Sequence, residues 1–84
     1  MSAQGNYVHD DDKFTFGKIA GKTFLVSEAR ALGYSTSIPP RFGIRHASTQ
    51  TVSTFDFVRS VTTDVGKRCE YRGPGGWQAH VYLQ

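Results

Sequence analysis

Apolar and polar positions alternate with period two along most of this chain, and that period predicts strands. The longest regular stretch is Thr51–Thr62, TVSTFDFVRSVT, rich in β-branched and aromatic residues and free of Gly and Pro. At period two, Ser53, Phe55, Phe57, Arg59 and Val61 share one face, and Thr54, Asp56, Val58, Ser60 and Thr62 share the other. Phe55 and Phe57 need a core, so the stretch reads as a central antiparallel strand. Arg59 falls on the apolar side, where a long stem lets its charge snorkel at the sheet end.

The neighbouring segments read as partners of that strand. Lys13–Lys18 places Phe14 and Phe16 inward, and Lys22–Ser27 places Phe24 and Val26 inward. Ile19-Ala20-Gly21 joins the two as a hairpin. Ser27 has the chemistry of an N-cap, Glu28 suits a first turn and Gly33 a helix end, which predicts one short helix near 27–33. Tyr34–Pro40 is loop by composition. Arg41–Ala47 alternates Phe42, Ile44 and His46 against Arg41, Gly43 and Arg45. Lys67–Arg72 sets Cys69 and Tyr71 against Arg68, Glu70 and Arg72. After the turn Gly73-Pro74-Gly75-Gly76, Trp77–Leu83 sets Trp77, Ala79, Val81 and Leu83 against Gln78, His80 and Tyr82. The expected fold is mainly β (α+β) in the order ββαββββ, a small antiparallel curled sheet or open barrel. Residues 13–84 form the single domain and residues 1–12 a flexible acidic tail, although Tyr7 and Val8 could add an edge strand.

Composition narrows the setting. At 84 residues the chain is near the lower limit of what one core supports without metals or disulfides. The single Cys69 rules out an internal disulfide and fits a reducing, cytoplasmic setting. Neither a secretory leader nor an apolar membrane span is expected. Residues 1–12 carry three aspartates and no Lys or Arg, whereas residues 13–84 carry ten Lys or Arg against four acids. A basic domain of this kind attracts polyanions or acidic protein surfaces.

The chemistry-bearing motifs are weak. Gly17-Lys18-Ile19-Ala20-Gly21-Lys22-Thr23 resembles a phosphate loop only superficially. It is one residue short between its glycines, and a strand rather than a helix follows. His9, His46, His80 and Cys69 show no close metal-ligand spacing. Cys69 lies on an inward face, where a free thiol behaves as a small hydrophobe. No paired carboxylates stand out, so neither catalysis, cofactor nor metal is expected.

What remains is the outward face. Arg41, Arg45, Arg68 and Arg72 would hold phosphates, with His80 beside them and Tyr82 or Tyr71 stacking on bases. The expected function is therefore a small non-enzymatic module binding nucleic acid through an Arg-bearing face. The alternative is a protein-interaction module or inhibitor blocking a site on a larger protein, such as a virus- or phage-encoded antagonist of host machinery. Either is compatible with a homo-oligomer formed through an edge strand. A one-residue slip of register would exchange the faces.

Overall fold

The period-two pattern forms a seven-stranded mixed sheet in a computed structural model that describes residues 7–35 and 37–83. The strands are β1 (Tyr7–Asp10), β2 (Thr15–Ile19), β3 (Lys22–Glu28), β4 (Arg41–Arg45), β5 (Val52–Thr63), β6 (Gly66–Arg72) and β7 (Gln78–Leu83). Their order across the sheet is β1-β4-β5-β6-β7-β3-β2. β4 to β7 form an antiparallel meander, and β2 and β3 form an antiparallel hairpin. The remaining pairings, β1 with β4 and β3 with β7, are parallel.

The sequence expectation is corrected at four points. The sheet is mixed rather than antiparallel, and it does not close into a barrel. It gains a strand, β1, within the segment expected to be a tail; residues 1–6 of that tail lie outside the described residues. The helix near 27–33 is a single 3-10 turn over Ala29–Leu32, and the described residues contain no α-helix. Ser27 is therefore no helix cap. It belongs to β3, and its hydroxyl donates to the Lys13 carbonyl at 2.9 Å. The four residues between Glu28 and Gly33 cannot support an α-helix whose first turn must be nucleated at a loss.

The fourth correction concerns faces: on β3 it is Leu25, opposite Ala79, that joins the core, whereas Phe24 and Val26 lie on the other face with His80. In the pairing of β5 with β6, Phe57 lies opposite Tyr71 and Arg59 lies opposite Glu70, so Val58 is an extra residue without a partner. This bulge shifts the alternation by one. Arg59 moves to the side of Glu70, which it meets at 3.0 Å, while Phe55 stays in the core. The arginine that looked misplaced on an apolar face is on the polar one.

The core lies on one face of the sheet. Tyr71, Phe42, Phe55, Ile44 and Val81 are its fully buried large side chains. Phe42 is the hub: Phe14 and Phe55 stack against it, each with ring centroids 6.0 Å away, and Tyr71 sits at 4.5 Å. Ala29 and Leu32 of the 3-10 turn cover this face, joined by Tyr34 and Ile38. The Tyr71 hydroxyl donates to the Pro39 carbonyl, which ties the loop down.

Two positions give direct tests of packing and turn chemistry. A Cβ on Gly73 would lie 2.4 Å from the Phe55 ring, so Gly73→Ala forces that ring out of its site. We expect a loss of about 1–3 kcal/mol in chemical denaturation. At the β2–β3 turn, Ala20 (φ 55°) and Gly21 (φ 83°) both have positive φ, the geometry of a type I′ hairpin. Alanine is strained there and asparagine is tolerated, so Ala20→Asn should raise stability by roughly 0.5–1 kcal/mol, seen as an increase of several degrees in Tm.

Candidate binding surfaces

The face opposite the core is the one expected to carry the arginines. Cross-strand register sets Arg41, Asp56, Arg72 and Gln78 in one row. The next rows are Arg59, Glu70, His80 and Val26, then Val61, Arg68, Tyr82 and Glu28. Four of the arginines are engaged by carboxylates. Arg41 meets Asp56 at 2.7 Å, Arg45 meets Asp10 at 3.4 Å, and Arg59 and Arg68 both meet Glu70 at 3.0 Å. Strand β1 contributes directly, because Asp10 comes from the segment expected to be a tail. This face is a lattice of alternating charge, not a basic patch.

Of the six residues expected to form the site, Arg41, Arg45 and Arg72 are exposed, Tyr82 is half-buried, and Arg68 is mostly covered. His80 is 2% exposed and cannot touch a partner. Tyr71 is in the core, so it cannot stack on a base. Phe24 lies over His80 with ring centroids 4.2 Å apart, and Glu70 approaches the histidine Nε2 at 4.0 Å. His80 Nδ1 has no hydrogen-bond partner. Burial holds the His80 pKa below its usual value, and the Glu70 carboxylate only partly offsets this.

The unbalanced charge lies elsewhere. From Lys13 through the β2–β3 hairpin to Glu28 the chain holds Lys13, Lys18 and Lys22 against one acid, whereas the rest has seven cations and six acids. That stretch therefore carries +2 of the formal net charge of +3. None of its lysines is in an ion pair among the described residues.

Beside these lysines are exposed aromatic rings. Phe16, on edge strand β2, is 67% exposed, and Trp77, just before β7, is 48% exposed. Their centroids lie 6.2 Å apart with a tilt of 46°. Lys18 follows Phe16 by two residues and so shares its face. Continuing the parallel register of β3 and β7 back by two residues places Trp77 next to Thr23, the partner of Lys18. The two rings border a cavity of about 260 Å³ at one end of the sheet. Its floor is apolar, made by Phe14, Leu25, Ile44 and Phe55. One wall is polar: Asp11, and His46 bonded through Nε2 to the Ser53 hydroxyl at 2.8 Å.

No family model, curated protein or solved structure matches this chain. Function must therefore be argued from the surfaces themselves. Among the described residues, no group of three or more His, Cys, Asp or Glu is placed to hold a metal ion. No helix of the described residues is long and apolar enough to cross a membrane. The Cys69 thiol is buried and its pKa is pushed up by that burial, so it is a poor nucleophile.

Phe16 and Trp77 escaped the sequence reading because alternation alone assigned both to the core. Phe16 is on the core face but at the sheet margin, where no further strand covers it. The excess of lysine over acid between Lys13 and Glu28 is legible in the sequence.

His80 gives a pH test of the opposite face. A histidine with a lowered folded-state pKa binds fewer protons folded than unfolded, so stability falls as pH drops below about 6.5. Replacing it by phenylalanine keeps a ring under Phe24 and removes the titrating group. His80→Phe should flatten the loss of Tm between about pH 6.5 and pH 5 relative to wild type. An unchanged pH profile would show that His80 does not carry this acid sensitivity.

Proposed function

We propose that this chain is a non-enzymatic module that binds single-stranded nucleic acid at the β2–β3 hairpin. The observation that carries this reading is the coincidence of most of the net charge, and of three lysines in no ion pair among the described residues, with the exposed Phe16–Trp77 pair. Lysines track a phosphate backbone while aromatic faces accept bases of any sequence, which is how strands without secondary structure are held. The arginine face supports the same reading less well, since four of its arginines already contact carboxylates. A phosphate arriving there must displace a carboxylate or meet its repulsion.

Fluorescence anisotropy with a labelled single-stranded oligonucleotide tests this. Contacts from three lysines imply a slope of about −2 in a plot of log K against log salt. Phe16→Ala and Trp77→Ala should each weaken binding by about 1–3 kcal/mol. Lys18→Ala should make the slope shallower by about 0.7. Arg41→Ala and Arg45→Ala should leave affinity nearly unchanged. Weakening by the arginine variants and not by the hairpin variants would overturn the assignment.

A protein partner is the second reading, favoured by the free backbone edge of β2 at the end of the sheet. A stoichiometric complex that survives nuclease and high salt would decide for it.

A further inference from the structure

We propose that the cavity behind Phe16 and Trp77 receives one unstacked guanine base, whose Watson–Crick edge is read by the Asp11 carboxylate. This inference rests on the strand-binding reading and adds a base preference to it. The cavity, at about 260 Å³, lies below the roughly 300–1,000 Å³ of clefts that take drug-sized ligands. It therefore suits a single planar ring system. Its floor of Phe14, Leu25 and Phe55 offers the apolar surface against which an extruded base packs, and the two rim rings offer stacking faces.

The polar wall decides which base. His46 and Ser53 satisfy each other at 2.8 Å, whereas Asp11 uses Oδ2 to accept the Ala47 N–H at 3.1 Å. Oδ1 of Asp11 and the second lone pair of Oδ2 remain to accept from a ligand. A carboxylate repels phosphate, so the anionic backbone must stay outside with Lys18 while the group inside is neutral and donates. Guanine presents two adjacent donors, N1–H and the N2 amino group, to one carboxylate. Adenine and cytosine present one amino donor, and thymine or uracil presents an imino donor flanked by repelling carbonyls. The carboxylate therefore favours guanine.

Trp77 is the single tryptophan of the chain, so its fluorescence reports occupancy directly. The probes are short oligothymidylates, either unmodified or carrying one central guanine, adenine or cytosine. The guanine strand should bind about tenfold more tightly than the unmodified one, as expected for a well-formed two-donor contact. In Asp11→Asn the side-chain carbonyl still accepts from Ala47, while the other atom becomes a donor. That variant should lose the guanine advantage and keep its affinity for oligothymidylate, with an unchanged thermal transition as the fold control. Equal binding of all four strands by the wild type overturns the guanine site and leaves strand binding standing. No binding of any strand removes both readings. A guanine advantage that survives Asp11→Asn overturns the role of Asp11. An acidic, tyrosine-bearing peptide that quenches Trp77 and is not displaced by the guanine strand overturns the nucleotide occupant in favour of a protein one.

Discussion

A short link between opposite edges of the sheet constrains everything else. β1 and β2 are the two outermost strands, yet only residues 11–14 connect them. Laid flat, the seven strands would separate those edges by six spacings of about 4.8 Å, near 29 Å. The link can span no more than roughly 17 Å even when fully extended, and part of it is a 3-10 turn. The sheet must curl until the edges approach. The residue in the link that pays attention to the core is Phe14, which lands on Phe42 and is 7% exposed. Curling thus makes the Phe14–Phe42–Phe55 stack, and the stack holds the curl.

The same constraint creates the cavity. Edges that approach without hydrogen-bonding leave a mouth at one end, and the side chains there have neighbours on one side only. Phe16, on edge strand β2, is 67% exposed for that reason, and Trp77, just before the central strand β7, lies beside it and is 48% exposed. In a closed barrel Phe16 would be covered by the next strand. Asp11, carried in the short link, is brought to the same mouth and anchored there by the Ala47 N–H.

Much of the sheet was legible in the sequence because period two is a local property. The inward sets Phe42 with Ile44, Cys69 with Tyr71, and Ala79 with Val81 are all buried. His46 and His80 were expected on different sides, and they are: one lines the cavity and the other lies under Phe24. What escaped was non-local. Tyr7 and Val8 offer an edge strand in the sequence, but nothing in YVHD says that β4 is its partner, and parallel pairing leaves no turn to read. The bulge at Val58 has no Gly or Pro to announce it, yet it reverses the faces of Arg59 and Val61. Most of the arginine site was legible as a position on the sheet, but its pairing with Asp10, Asp56 and Glu70 was not. Those contacts join residues on different strands.

That pairing bears on how charge in a small basic protein is to be interpreted. A net charge of +3 says nothing about where the field originates. Arg41 and Asp56 are both well exposed, so their contact adds little stability, about 0–1 kcal/mol. Its consequence is for the potential outside, where alternating charges a few ångströms apart cancel within a Debye length of about 8–10 Å. The three hairpin lysines have no such partners and sit at a margin beside exposed rings. On the proposed strand-binding reading, a polyanion is steered to the hairpin, although the arginines outnumber those lysines. Location and pairing, more than composition, decide which face of this sheet meets an anion first.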